Sequence, residues 1–310
     1  MMSKHIQNIA IIGAGLMGHG IALSFARANL NVTVMDPSQD ALDTLHARIE
    51  GSMVSMGTGQ EDIRSAIAQI AVNQDIGAAV KEADLVIEAG PEKLEIKRQI
   101  FAEVEAAVSD DCILASNTSV LPITKIMSQL SIKSRAIGTH WWNPPHLMPL
   151  VEVIRTQWSD ETALSQVTDL LKDMGKKPVR VDKDIPGFVG NRLQHALWRE
   201  AISLVENEVC SAEAVDTVVK ASFGRRLAVL GPLENADLVG TDLTLDIHKT
   251  VLSDLDARGY PSPYLQFLVE TGKLGMKTGE GFRTWEHGEP EKLLEHLVKH
   301  LKAQNTIEDI

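Results

Sequence analysis

Short runs of β-branched and aliphatic residues alternate with longer amphipathic stretches from the start of the chain to about Asp182. The runs are IAII (9–12), VTVM (32–35), DLVIEA (84–89), CILAS (112–116), RAIGTH (135–140), LVEVI (150–154) and PVRVD (178–182). Strands separated by helices in this way predict a mostly parallel sheet covered on both faces. The stretches 40–56 and 92–108 place apolar residues at helical spacing, as in Leu94, Ile96, Ile100, Phe101 and Val104, so both are expected to be helices packed on the sheet.

After DKDIPGF the strand-like runs stop and helical periodicity holds to the polar tail, which puts a boundary near Asp184. Pro186 and Gly187 suit the start of a long helix with Leu193, Ala196, Leu197, Ala201, Leu204 and Val205 on its buried side. LPITKIMSQL (121–130) also reads as a helix, and LLEHLVKHLKAQ near the end as an amphipathic one. The expectation is an α/β domain over 1–183 and an all-helical domain over 184–310, with the active site in the cleft between them.

Composition narrows the function. At 310 residues, 44% hydrophobic and 23% charged, the chain can bury a sizeable core, and its length suits two domains. A net charge of −12 with no basic run excludes a nucleic-acid partner. Cys112 and Cys210 alone make neither a disulfide framework nor a Cys-rich metal spacing, which fits a reducing cytoplasm. The start, MMSKHIQ, runs straight into a short apolar strand, so neither a signal peptide nor a membrane span is expected.

The first chemistry-bearing motif is GAGLMG, with Gly13, Gly15 and Gly18 directly after IAII and before the helical HGIALSFARAN. The glycines give a tight turn, close approach of backbone to a pyrophosphate, and close helix-to-strand contact; the helix N-terminus then offers free N–H groups to phosphate. The second strand ends in Asp36, whose carboxylate can accept hydrogen bonds from ribose hydroxyls. Together these define a doubly wound, Rossmann-type dinucleotide domain. Asp36 would repel a 2′-phosphate, and Pro37, Ser38 and Gln39 supply no arginine to hold one, so NAD is favoured over NADP.

The second is GTHWWNPPHLMPLVEV (138–153), in which His140 ends one strand-like run and Glu152 lies in the next. A carboxylate on one imidazole nitrogen fixes the tautomer and stabilises the imidazolium, leaving the other nitrogen to take a proton, as alcohol oxidation requires. His140, His146 and Glu152 recur at a spacing of six, which does not suit one helix face; hydride transfer to NAD needs no metal, and none is expected.

The chain resembles the 3-hydroxyacyl-CoA dehydrogenase family over nearly its whole length, from GAGLMG through NTS and HWWNPP to DIPGFVGNR and GKLGMKTGEGF. The resemblance implies a catalytic His–Glu pair at His140 and Glu152, a serine at Ser119 that hydrogen-bonds the reacting oxygen, and an asparagine at Asn191 beside it. It implies cofactor contacts at Gly13, Gly15, Leu16, Met17, Gly18, Asp36, Glu92, Lys97 and Asn117, and a homodimer formed through the helical domain. Trp141 and Trp142 read as wall and packing residues, with Trp141 a candidate substrate contact. Ser119 could also cap the following helix.

Family members that use CoA esters carry serine and lysines after the second strand, where the CoA phosphates rest. Here Ser52 is present but no lysine occurs between Lys4 and Lys81. The stretch SFGRRLAVLGPLE (222–234) resembles relatives that oxidise free acids such as gulonate, carnitine and pyridoxine-breakdown products, with a basic residue at Arg226 that could hold a substrate carboxylate; the alternative is a solvated surface charge. The leading expectation is a small hydroxycarboxylate substrate, with a 3-hydroxyacyl-CoA ester as the alternative. An NAD-binding protein without turnover is a third possibility, opposed by His140, Glu152, Ser119 and Asn191 being intact.

Overall fold

A computed structural model of the chain describes residues 5–305, in two compact units: 5–192 together with 300–305, and 193–299. The first unit runs β1 (Asn8–Ile12), α1 (Leu16–Arg27), β2 (Asn31–Met35), α2 (Gln39–Asp43), α3 (Leu45–Ser55), α4 (Gln60–Ala68), β3 (Ile70–Asn73), α5 (Ile76–Val80), β4 (Leu85–Glu88), α6 (Leu94–Glu105), β5 (Ile113–Ser116), α7 (Ile123–Ile126), β6 (Ala136–Trp141), β7 (Leu150–Arg155), α8 (Glu161–Asp173) and β8 (Lys177–Val181). The strands form one eight-stranded sheet in the order β3-β2-β1-β4-β5-β6-β7-β8. Every pairing is parallel except β6 with β7. Crossing from β1 to β4 reverses the winding, and the crevice beyond the carboxyl ends of those strands is where such sheets bind ligands.

Strand alternation divides the core into two layers. Ile9, Ile11, Leu85 and Ile87 face a cluster with Ile21 and Phe25 of α1, Ile49 of α3, Ile63 of α4 and Leu164 of α8. Ala10, Ile12 and Val86 face the opposite cluster, with Val80 of α5, Phe101 and Val104 of α6, and Ile126 of α7. Burial on both faces is why these strands read as unbroken apolar runs.

Three local expectations differ. The stretch 40–56 is two helices broken at Thr44, whose hydroxyl donates to the Asp40 carbonyl and competes with the helix ladder. LPITKIMSQL supplies only the single turn α7. β3 was not anticipated; it is a four-residue edge strand with half its positions exposed, too short for a clear alternation.

The second unit is helical. The long helix starts at Gly190 rather than at Pro186, as α9 (Gly190–Glu206), and is followed by α10 (Ala212–Ala221), α11 (Pro232–Val239), α12 (Thr241–Val251), α13 (Pro263–Glu270) and α14 (Glu289–Asn305). The face of α9 expected to be buried is not covered: no residue of α9 is buried, and Leu193 and Leu197 are 59% and 42% exposed. Between 193 and 299 only Ser262 and Leu268 are buried.

Candidate active site

The glycine turn behaves as its spacing predicts. Gly13 has φ +110°, and a Cβ there would come within 2.8 Å of the Ala89 carbonyl oxygen. A Cβ on Gly18 would overlap the Gly13 carbonyl, so strand and helix meet backbone to backbone. Gly15 faces open space, and no side chain caps the N-terminus of α1 that it begins. An open, uncapped helix start offers its N–H groups and positive dipole end to a pyrophosphate. Leu16 is 63% exposed beside it, and Met17 is half-buried. Asp36 braces the turn: one carboxylate oxygen accepts from the Ala14 N–H at 2.8 Å, the other from the Ser38 N–H at 2.9 Å. These residues fit a dinucleotide.

Beneath the ends of β4 and β5 lies a charged network. Lys97 of α6 is 1% exposed, and its ammonium donates to both oxygens of the fully buried Glu88, at 2.7 and 2.9 Å. Ser116 donates to Glu88 at 2.6 Å. Lys97 therefore lies under the strand ends, inside the protein. Its Nζ also pairs with Glu92 at 3.3 Å, and Glu92 accepts from the Thr118 hydroxyl and from the N–H groups of Ser119 (3.0 Å) and Val120 (3.1 Å). Burial works to raise the Glu92 pKa, but the Thr118 hydroxyl, Lys97 and the Val120 N–H outweigh it and hold it below the usual carboxylate value. Asn117 is buried, and its side-chain oxygen accepts from the Trp141 N–H at 2.9 Å.

His140 and Glu152 are register partners across β6 and β7, and residues directly opposite on antiparallel strands point to the same face. Their side chains meet at His140 Nδ1–Glu152 Oε2, 2.7 Å, both buried. The other Glu152 oxygen accepts from the N–H groups of Val189 (2.9 Å) and Gly190 (3.1 Å), the entry to α9. Burial acts to raise the Glu152 pKa, yet the His140 bond and these two N–H groups prevail and keep it below its ordinary value. Asn191, next along α9, donates its amide to the Ser119 carbonyl at 2.8 Å. The β6–β7 pair, the Ser119 loop and the start of α9 are thus stitched together through Glu152 and Asn191.

Trp141 is a packing residue, and its burial speaks against the substrate contact expected for it. One position beyond His140 on the same strand, it faces the opposite side of the sheet, is 1% exposed and packs edge-on against Phe25 of the core. Trp142 is the tryptophan beside the imidazole, at 5.3 Å between ring centroids. Phe188 was not singled out by sequence; it lies 5.6 Å from the same imidazole, fully buried, with φ +49°. A positive φ at a phenylalanine is an uncommon conformation that no sequence pattern announces, and it sits immediately before the N–H groups that reach Glu152. Glu88 and Thr118 were likewise missed; their signal would have been a carboxylate ending a fully apolar strand and the Thr inside NTS. Arg226 belongs to the second unit, exposed just after the turn Phe223–Arg225, with no ion-pair partner among the described residues. No cluster of three or more His, Cys, Asp or Glu able to hold a metal occurs among the described residues.

The fold and the glycine turn define a dinucleotide-binding protein. Family models for the 3-hydroxyacyl-CoA dehydrogenase NAD binding domain and C-terminal domain match residues 8–185 and 187–285. The chain belongs to the 3-hydroxyacyl-CoA dehydrogenase family, whose members are NAD-dependent oxidoreductases acting on CH–OH groups. It is 35% identical over 303 residues to the 5-formyl-3-hydroxy-2-methylpyridine 4-carboxylate 5-dehydrogenase of Mesorhizobium japonicum, covering 97% of this chain and 98% of the relative. A crystal structure of an enzyme of that name, described as an NAD+-dependent dismutase, superposes with a TM-score of 0.89 at 35% identity, over 97% of this chain and 98% of the other. The 3-hydroxybutyryl-CoA dehydrogenase of Mycobacterium tuberculosis is 37% identical over 291 residues, covering 92% and 100%.

Proposed function

We propose that this chain oxidises an alcohol on a small carboxylate substrate, with His140 as the base and Glu152 as its partner. The observation that carries this reading is the buried 2.7 Å contact between His140 Nδ1 and Glu152, which leaves Nε2 without a hydrogen-bond partner among the described residues. The Nδ1 proton shared with an ionised Glu152 fixes the tautomer whose Nε2 is bare, and Nε2 takes the hydroxyl proton. Glu152 then stabilises the imidazolium. Ser119 Oγ hydrogen-bonds the reacting oxygen, while Asn191 steadies Ser119 through its carbonyl and keeps a second amide hydrogen for the substrate. NAD, when bound, supplies the hydride acceptor.

Charge favours a free acid over a CoA ester. The helices α2 to α4, after the second strand, carry Asp40, Asp43, Glu50, Glu61 and Asp62 against Arg48 and Arg64, and the Arg48 guanidinium is engaged with the Ala41 carbonyl. Such a surface repels the phosphates of a CoA carrier. The near full-length likeness to the pyridine-carboxylate enzyme supports the same reading. Arg226 is available to pair with a carboxylate. The identity to a 3-hydroxybutyryl-CoA dehydrogenase favours the CoA ester as the second reading.

The test is NADH formation with a hydroxymethylpyridine carboxylate, L-gulonate, L-carnitine and L-3-hydroxybutyryl-CoA. A higher kcat/KM for the CoA ester overturns the free-acid reading; silence with all four counts for an NAD-binding protein without turnover. Arg226→Met should raise KM for a carboxylate substrate and leave NADH binding unchanged.

We also propose that a second copy of the chain covers the helical unit. Leu197, Val229, Leu233, Leu238, Leu245 and Phe267 are each more than 40% exposed there, and a unit that buries so little of its apolar surface lacks the main favourable term of folding. Light scattering should report a dimer; a monomer at micromolar concentration removes the proposal. No helix among the described residues is long and apolar enough to cross a membrane. From the two isolated cysteines we infer a reducing, cytoplasmic location.

A further inference from the structure

We propose that Glu92 is a positioning residue for Ser119, holding its backbone so that Oγ is presented to the substrate oxygen. This rests on the reading of Ser119 above and adds the side chain that aims it. Ser119 and Val120 lie in a bend between β5 and α7, where no ladder satisfies their backbone groups. The Glu92 carboxylate takes both N–H groups, at 3.0 and 3.1 Å, and accepts the Thr118 hydroxyl on the same oxygen. From the other side, Asn191 donates to the Ser119 carbonyl at 2.8 Å. Both backbone groups of Ser119 are thereby fixed by side chains from separate segments. Its Oγ is the one polar atom left without a partner among the described residues.

The clamp is itself anchored. Lys97 ties Glu92 at 3.3 Å to the buried Glu88, which also takes the Ser116 hydroxyl at 2.6 Å and the Gly90 N–H at 2.7 Å. A carboxylate fixed by a buried, fully hydrogen-bonded ion pair has little freedom to move, so it transmits the rigidity of the strand ends to an exposed loop. Because proton transfer and hydride transfer both depend on where the hydroxyl sits, a shift of about 1 Å in Ser119 is sufficient to cost on the order of a hundredfold in rate.

The competing role for Glu92 is direct contact with NAD, and the two differ in what they move. The whole protein is compared as wild type, Glu92→Gln, Glu92→Ala, Ser119→Ala and the Glu92→Gln/Ser119→Ala double variant. Turnover is measured with whichever compound of the panel above is oxidised, NADH affinity by fluorescence, and amide exchange over 117–121 by mass spectrometry. We expect faster exchange at Ser119 and Val120 in Glu92→Ala, kcat lowered about 10- to 100-fold, and NADH Kd changed less than about threefold. In the Ser119→Ala background, Glu92→Gln should cost little more, because both substitutions disable one arrangement. Glu92→Gln keeps the shape of the side chain and guards against misfolding of the alanine variant.

Unchanged amide exchange, fully additive losses, or NADH binding weakened about tenfold with kcat retained would each overturn the proposal. If Ser119→Ala turns over like wild type, the role of Ser119 in the chemistry fails instead. The exchange measurement then still decides whether Glu92 holds the loop.

Discussion

His140 on β6 and Glu152 on β7 stand directly opposite each other across the one antiparallel pairing of the sheet among the described residues, and their side chains meet at 2.7 Å. Cross-strand register puts the carboxylate and the imidazole on the same face at the same level. The carboxylate then reaches past the imidazole to the N–H groups of Val189 and Gly190. One side chain therefore orients the candidate base and fixes the start of the helix that carries Asn191.

Replacing the proposed base should separate chemistry from cofactor binding. His140→Gln is expected to lower kcat about a hundred- to ten-thousand-fold. NADH affinity should be preserved, because the dinucleotide site we propose, the glycine turn with Asp36, lies at the carboxyl ends of β1 and β2, away from His140. Unchanged turnover in a steady-state assay would remove His140 from the mechanism.

Gly190 has no room for a side chain. A Cβ there would overlap the Trp142 ring, which itself borders His140. Gly190→Ala should therefore destabilise by about 1–3 kcal/mol through overpacking. It should also reduce kcat, since the displaced ring and the helix start both bear on the His–Glu pair. Calorimetry and kinetics on the same preparation check this, and wild-type values for both would show that the contact relaxes without consequence.

We propose that Asp36 bears on cofactor choice. Asp36→Ala should weaken NADH about tenfold, the worth of one hydrogen bond to a charged group. The ratio of NADPH to NADH affinity should rise as the repulsion of a 2′-phosphate disappears. Fluorescence titration with both nucleotides measures it; an unaltered ratio would assign discrimination to other residues.

His146 predicts an acid-side stability slope. Burial, with the nearby charges of His19, Lys176 and Arg27, pushes its pKa from 6.5 down to about 4. Between those values the unfolded chain binds a proton that the folded chain does not, so this group makes stability fall as pH drops from 6.5 towards 4, with no further loss below the folded value. His146→Asn should flatten that part of a denaturation-midpoint-against-pH curve. A variant curve parallel to wild type would show that His146 does not titrate as its surroundings require.

The sequence by itself determined the alternation of strands and helices, the glycine turn, Asp36 and the His–Glu pair, because each rests on local periodicity or on a short motif whose residue types have few other uses. Which tryptophan borders the imidazole, the left-handed Phe188 that turns two N–H groups toward Glu152, and the burial of Lys97 against Glu88 were decided only by tertiary structure. They depend on which face of the sheet a residue occupies and on partners many positions away, as Glu152 to Gly190 and Ser119 to Asn191 are. The uncovered face of α9 marks the same division: helical spacing announces that an apolar stripe exists, but which surface covers it is a property of packing and not of spacing.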